Sequence, residues 1–370
     1  MHRLARLLAA VVLATLVGAA FAGPTQANRQ VPAGPLFVDT DMGVDDAVAV
    51  AYLLREPRAE VTGFTTVFGN ASVDNVTRNL LTLLDAADEA YPVTIGAATP
   101  LVFPRHRTSA FVHGPDGFWF AQAPQDLSSL PTDAPAAIAA AAQANPGITF
   151  VALGPLTNFA QAVERFPEAM RGARLVALGG AQFGGNVTPV AEFNVYADPQ
   201  AFAAVLASEM RVELITLDAF EQIQIDADRL AERLSRRGGA VGQLLAAILP
   251  LYAQATTQGA GGPITIPDLA AATYAVRASV GTPISALVRV ITDPTYTRGQ
   301  TIIATTFSDK ILLIGTSEEL SSLADRAFTP GFDLNAELAA IAAREPDNAQ
   351  AVLEIDERQI SRMLERALLR

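Results

Sequence analysis

Beyond residue 35 the chain alternates short runs rich in β-branched residues with longer runs rich in alanine and leucine. Runs 61–67, 149–153, 175–178 and 212–217 have the composition of strands, and 76–86, 158–165 and 269–276 that of helices. Strands separated by helices pair in parallel, because a parallel pair needs a long crossover that a hairpin does not supply. The expected fold class is therefore α/β. It is a single large Rossmann-like domain with a mainly parallel sheet, helices on both faces and the active site at the C-terminal ends of the strands. The 370 residues are 50% hydrophobic, enough for one large core, and no Pro/Gly/Ser-rich linker divides the middle of the chain. The tail 314–370 reads as mostly helical with a polar break at Glu345-Pro346-Asp347-Asn348, and it carries no assigned role.

Polar punctuation follows the strand-like runs: Gly69-Asn70, Gly154-Pro155-Leu156-Thr157-Asn158, and Gly179-Gly180 leading through Gly185-Asn186 to Glu192-Phe193-Asn194. Far downstream, Ile266-Pro267-Asp268 opens the helix-like run 269–276. The densest junction is Asp39-Thr40-Asp41-Met42-Gly43-Val44-Asp45-Asp46, four carboxylates within eight residues, between a strand-like run at 36–38 and a helix-like run at 47–54. Carboxylates this close repel one another, and a fold tolerates them when an ion or strong hydrogen-bond donors gather them. Calcium or magnesium is the natural guest. The chain has no cysteine, so oxygen must supply any ligands, and disulfides and thiolate chemistry are excluded.

The formal charge of -12 argues against a nucleic-acid backbone or an anionic membrane as partner and favours a neutral substrate or a cation. The first residues read as an export signal. Arg3 and Arg6 form a basic start, an uncharged apolar stretch lies within 7–22, and Ala20-Phe21-Ala22 is a small-x-small cleavage site. The apolar stretch is shorter than the ~20 residues of a spanning helix. The expected division is a signal peptide at 1–22, a linker at 23–34 and a catalytic domain at 35–370, with a cut after Ala27 as the alternative. The expected location is periplasmic or secreted, with no membrane attachment after cleavage.

Each polar feature also has a plainer reading. Asp45 and Asp46 suit a helix N-terminus, Asn70 taken alone is a turn residue, and Asp268 taken alone is an N-cap after Pro267. Glu192 and Asn194 alternate along an extended segment as a solvated edge would, and His113 has Phe118 and Trp119 nearby to pack against. Two rival motifs fail. An EF-hand loop beginning at Asp39 would have Gly43 at its fifth position and Val50 at its twelfth, where an oxygen donor and Glu are needed. Asp39-Thr40-Asp41 also matches the start of haloacid-dehalogenase-like phosphatases, which require a downstream lysine and a second acidic pair. The one lysine, Lys310, lies far out, and no later Asp-Asp pair follows.

The acidic octet resembles the D-x-D-P-G-x-D-D signature of the inosine-uridine-preferring nucleoside hydrolases. The resemblance continues through Gly69-Asn70, Thr77-Arg78-Asn79, His113-Gly114-Pro115-Asp116-Gly117, Ala152 to Asn158, the segment from Gly185 to Pro199, and Thr297-Arg298-Gly299-Gln300. Ordered matches of this kind span about residues 36 to 300.

The resemblance implies hydrolysis of the N-glycosidic bond of ribonucleosides with calcium (Ca2+) as cofactor. It implies that Asp41 binds calcium and takes the proton from water, that Asp46, Asp268 and the backbone carbonyl of Leu153 complete the protein ligands, and that Asp39 stands behind them. Asp45 and Asn194 would hold ribose hydroxyls, Asn70, Asn186 and Glu192 the rest of the sugar, and His113 would border the base. The family is usually a homo-dimer or homo-tetramer. A non-catalytic periplasmic nucleoside receptor on the same scaffold is the alternative. The chain departs from the family at Met42, where proline is usual, and at Pro267, where many members carry a histidine thought to protonate the leaving base. Proline cannot donate a proton, so departure of the base would rely on His113, a tyrosine such as Tyr252, stacking on Trp119 or solvent, with His113 favoured because an imidazole can donate near neutral pH.

Overall fold

The strand β1 (Pro35–Thr40) is buried along almost its whole length and is flanked on both sides by parallel partners. The computed structural model describes residues 34–103, 107–293 and 296–369, so the expected leader, the linker up to residue 33, and His106 lie outside the described residues. The further strands are β2 (Glu60–Thr66), β3 (Val93–Ile95), β4 (Thr149–Ala152), β5 (Arg174–Leu178), β6 (Arg211–Ile215), β7 (Gly281–Val290), β8 (Thr301–Ala304) and β9 (Ala349–Ile355). They form one nine-stranded sheet in the order β3-β2-β1-β4-β5-β6-β9-β7-β8. All pairings are parallel except those of β7, which runs antiparallel to both β8 and β9. This is the expected α/β class in a single domain, with a mixed rather than wholly parallel edge.

Successive strand residues face opposite sides, and both sides are apolar. Leu36, Val38, Val151, Leu153, Val176 and Leu178 join a core under the helices Val44–Arg55, Gly239–Thr256, Pro267–Val276 and Glu357–Leu368. Phe37, Phe150, Ala152, Leu175 and Ala177 join a second core under Ala134–Ala144, Thr157–Arg165 and Pro199–Leu206. Continuous apolar runs in the central strands follow from this double burial.

The tail is more than helical. Three helices, Phe307–Ile314, Ser317–Arg326 and Leu334–Ala342, enclose a small core of Ile311, Leu323, Leu338 and Ile341, and the chain then returns as β9 between β6 and β7. The last helix, Glu357–Leu368, buries Ile360, Met363 and Leu364 in the main core. The polar break at 345–348 precedes β9, and Asn348 caps the strand junction by bonding both the N–H and the carbonyl of Val288. Among the described residues no helix is long and apolar enough to cross a membrane.

Candidate active site

The acidic octet spans the end of β1 and the first turn of the helix Val44–Arg55, at the C-terminal end of the sheet. Asp268 reaches the same place from the first turn of the helix Pro267–Val276, where Pro267 occupies the position in which a missing N–H costs nothing. Asp268 is thus not the N-cap, which is Ile266. Two helix N-termini therefore point their partial positive charge at one acidic cluster. Asp45, Asp46 and Asp268 are all buried, and each offers a carboxylate oxygen within 4.8 Å of the others.

Donors surround part of this charge. Thr40 Oγ1 donates to Asp46 Oδ1 at 2.5 Å, while Gly43 N and Asn70 Nδ2 donate to Asp46 Oδ2 at 2.9 and 3.1 Å. Asn70 N donates to Asp41 Oδ2 at 2.9 Å. A Cβ on Gly69 would lie 2.0 Å from that same Asp41 oxygen, so only glycine lets the backbone come this close. Asp39, one β-strand step behind, receives Thr65 Oγ1 at 2.5 Å and Asn158 Nδ2 at 2.7 Å. Thr65 is its register partner on β2.

The charge is still undercompensated. Burial pushes Asp39 and Asp46 up to about 7, and burial followed by repulsion from Asp46 holds Asp41 and Asp268 well above the usual carboxylate range. Asp268 Oδ1 is buried without any hydrogen-bond partner. A buried, unpaired carboxylate oxygen facing other carboxylates costs several kcal/mol in principle unless a cation meets it. The donor set is oxygen only, so the residues present fit a hard divalent cation.

The remaining expected residues fall around this centre with different fates. The Leu153 carbonyl, at the end of β4, accepts Asn194 Nδ2 at 2.7 Å, and the same amide bonds the Leu178 carbonyl at 3.2 Å. Glu192 is buried and is no solvated edge. Its carboxylate caps the helix Phe193–Ala197, accepting the N–H groups of Asn194 and Val195, and also takes the N–H of Gly180 at 3.0 Å. Burial pushes it up to about 7 despite these donors. Asn186 is exposed, and its Oδ1 accepts Phe193 N at 2.9 Å, so its oxygen is spent on the loop.

His113 ends the short helix Ala110–His113, is buried, and stands 3.7 Å from Asp45 Oδ1 through its Nδ1. The Val44 N–H donates to that Nδ1 at 3.1 Å. Burial holds the imidazole below the usual histidine range. Its ring lies 5.4 Å from that of Tyr252, whose hydroxyl reaches Asp45 Oδ2 at 3.4 Å and donates to the Thr265 carbonyl at 3.2 Å. Met42 is wholly buried and donates its N–H to Thr40 Oγ1 at 3.1 Å, a bond that the family's usual proline could not make.

Sequence reasoning gave no role to Thr40, Thr65 or Asn158. The threonines sit in strands, where β-branched residues are ordinary, and only strand register brings Thr65 against Asp39. Asn158 was visible only as part of a polar junction.

An α/β sheet thus carries, at its C-terminal end, an acidic cluster that could hold a metal ion beside a buried imidazole. The profile of the inosine-uridine preferring nucleoside hydrolases matches residues 36–361. The non-specific ribonucleoside hydrolase RihC of Escherichia coli (strain SMS-3-5 / SECEC) is 38% identical over 278 residues, 73% of this chain and 88% of that protein. Among solved structures, the plant nucleoside hydrolase PpNRh1 superposes with a TM-score of 0.75 at 27% identity, covering 92% of this chain and 100% of that one. A purine-preferring ribonucleoside hydrolase from Gardnerella vaginalis shares the fold, with a TM-score of 0.74 at 23% identity over 91% of this chain and 98% of that one. The chain belongs to the inosine-uridine preferring nucleoside hydrolase family. It is an enzyme, an N-ribosyl hydrolase.

Proposed function

We propose that the protein hydrolyses the N-glycosidic bond of ribonucleosides to free base and ribose, with calcium as its cofactor, in the periplasm or outside the cell. The cluster of Asp45, Asp46 and Asp268, with Asp268 Oδ1 buried and unpartnered, is the observation that carries this reading. Asp41, Asp46, Asp268 and the Leu153 carbonyl are the proposed calcium ligands, with Asp45 shared between the ion and the sugar. Calcium in this cradle would seat a sugar diol and acidify a neighbouring water.

The chain's own groups supply the rest. Asp41, oriented by the Asn70 N–H, takes a proton as the water oxygen bonds to the anomeric carbon. The carbon–nitrogen bond breaks with its electron pair leaving on the base, and the surrounding carboxylates stabilise the positive charge that develops on the sugar. Val44 N–H occupies His113 Nδ1, so neutral His113 carries its proton on Nε2 and donates a hydrogen bond through it to the departing base, whose negative charge it stabilises while water supplies the proton. Asn70 and Asn194 line the sugar side. Asn186 and Glu192 contribute through the loop they hold, with the Asn186 amide nitrogen the group still free for a hydroxyl.

The matched relatives' names speak of inosine and uridine and of non-specific ribonucleosides, which supports a purine and pyrimidine range. The leader-like start of the sequence supports export, and the family resemblance supports a homo-dimer or homo-tetramer. The test is a product assay on the purified protein across inosine, adenosine, uridine and cytidine. Release of stoichiometric base and ribose is expected, and binding without turnover would contradict the reading.

A further inference from the structure

The turn that carries His113 adopts a backbone that its sequence disfavours. Between His113 and Phe120 the chain passes through left-handed φ at Gly114 (80°), Gly117 (88°), Trp119 (49°) and Phe120 (66°). Glycine takes such angles freely, but bulky aromatic residues adopt them only where their surroundings impose it. The Asp116 carboxylate imposes part of it, accepting Phe118 N at 3.0 Å through Oδ1 and Phe120 N at 3.1 and 3.0 Å through its two oxygens. Backbone bonds within the turn, Gly117 N to Gly114 O and Trp119 N to His113 O at 3.2 Å each, add to it, and Asn79 ties the turn to the helix Val73–Ala87.

Asn79 is fully buried, and its carboxamide is shared among three segments. Its Nδ2 donates to the Met42 carbonyl at 3.0 Å and to the Asp116 carbonyl at 2.9 Å, and its Oδ1 accepts Gln122 Nε2 at 2.7 Å. Met42 belongs to the acidic loop, and Asp116 and Gln122 flank the strained turn. A Cβ on Gly117 would lie 2.7 Å from Asn79 Nδ2, so the turn is shaped around this amide. The turn meets the acidic loop again where Val44 N–H bonds His113 Nδ1. Remove the amide, and the buried Met42 carbonyl and the partly buried Asp116 carbonyl lose their donor, so the turn loses its side-chain tie to the acidic loop.

We propose that Asn79 is a positioning residue for departure of the base: it sets the register of the His113 turn on the acidic loop, and so fixes where the imidazole stands relative to the substrate. The proposal rests on the reading of His113 as the hydrogen-bond donor that assists departure of the base. Misplacing a catalytic group by about 1 Å costs on the order of 100-fold.

The only tryptophan of the chain, Trp119, lies in this turn and donates Nε1 to the Val112 carbonyl at 3.2 Å, so its fluorescence reports the turn directly. The experiment compares Asn79→Asp, which keeps the shape but removes both donors, with Gln122→Ala and His113→Ala, all in the full calcium-replete protein. The readouts are Trp119 emission and acrylamide quenching, and kcat on inosine and on p-nitrophenyl riboside, whose leaving group departs without a proton. For Asn79→Asp we expect red-shifted, more quenchable emission with kcat on inosine down roughly 30- to 100-fold and kcat on the nitrophenyl substrate down less than about threefold. Gln122→Ala shifts both readouts in the same direction but less, and it carries the test if Asn79→Asp does not fold. Unchanged Trp119 emission in the folded variant, or equal losses on both substrates, would overturn the proposal. Equal losses in His113→Ala would instead overturn the reading of His113 on which it stands.

Discussion

The backbone N–H of Val44 donates to Nδ1 of His113 at 3.1 Å, and this bond decides which ring nitrogen can donate a hydrogen bond to the departing base. Nδ1 must be unprotonated to accept it, so the neutral ring holds its proton on Nε2. Burial favours that neutral form. His113→Ala should therefore reduce kcat on inosine by about 10²- to 10³-fold and spare p-nitrophenyl riboside. Steady-state kinetics on the two substrates checks it, and no loss on either would remove His113 from the mechanism.

Asp268 has a buried carboxylate oxygen with no partner, and its burial together with three acidic neighbours raises its proton affinity. Asp268→Asn removes the charge while keeping the shape. It should lower bound metal and turnover together, yet raise the melting temperature of the chelated protein by roughly 2–6 °C, because a site built for a cation is unfavourable without one. Calorimetry on the chelated pair provides the check. A variant less stable than its parent under chelation would contradict the electrostatic account.

Burial, with the same repulsion added, predicts a pH dependence. Asp46 is pushed from an ordinary 3.8 up to about 7 in the folded protein. Below about 4 it is protonated in both states and no difference arises. As pH rises from there towards 7, the unfolded chain releases its proton first, so the metal-free fold loses stability through this window. Chelated protein should melt at progressively lower temperature from pH 5 to pH 7.5, and the loss should be largely absent with excess calcium. Thermal scans over that range measure it, and parallel curves for the two forms would count against it.

Recognition centred on the sugar makes a further demand. Asp45 and Asn70 lie buried in and against the acidic cluster and Asn194 is buried on the Leu153 carbonyl, whereas the polar groups at the aromatic turn of Phe111, Trp119 and Phe120, Asn79 and Asp116 among them, are engaged in holding the turn itself. Removing the 2′-hydroxyl should cost ~10⁴-fold or more in kcat/KM, while exchange of hypoxanthine for uracil should cost far less. Comparable turnover of deoxyinosine and inosine would refute this.

Local chemistry made much of this molecule readable. The acidic octet, the polar junctions after β1, β2, β4 and β5, and the parallel architecture all follow from residues close together in sequence. What was not legible depends on contacts between distant segments. β9 was hidden because Gln350 and Glu354 interrupt its apolar residues, and its place between β6 and β7 is set by partners more than sixty residues away. The solvated edge stayed open as the plainer reading of Glu192 because nothing in its own sequence shows that Gly180 donates to it. Thr65 and Asn158 likewise acquire their purpose only when the sheet brings Asp39 to them.

The central claim is that ribonucleoside hydrolysis here depends on an oxygen-bound calcium ion. Elemental analysis of the purified protein, paired with the inosine assay before and after exhaustive chelation, tests it most directly. The account predicts a single calcium per chain, loss of turnover on chelation and its return when calcium is restored. Zinc in place of calcium, or full activity in the chelated protein, would contradict it.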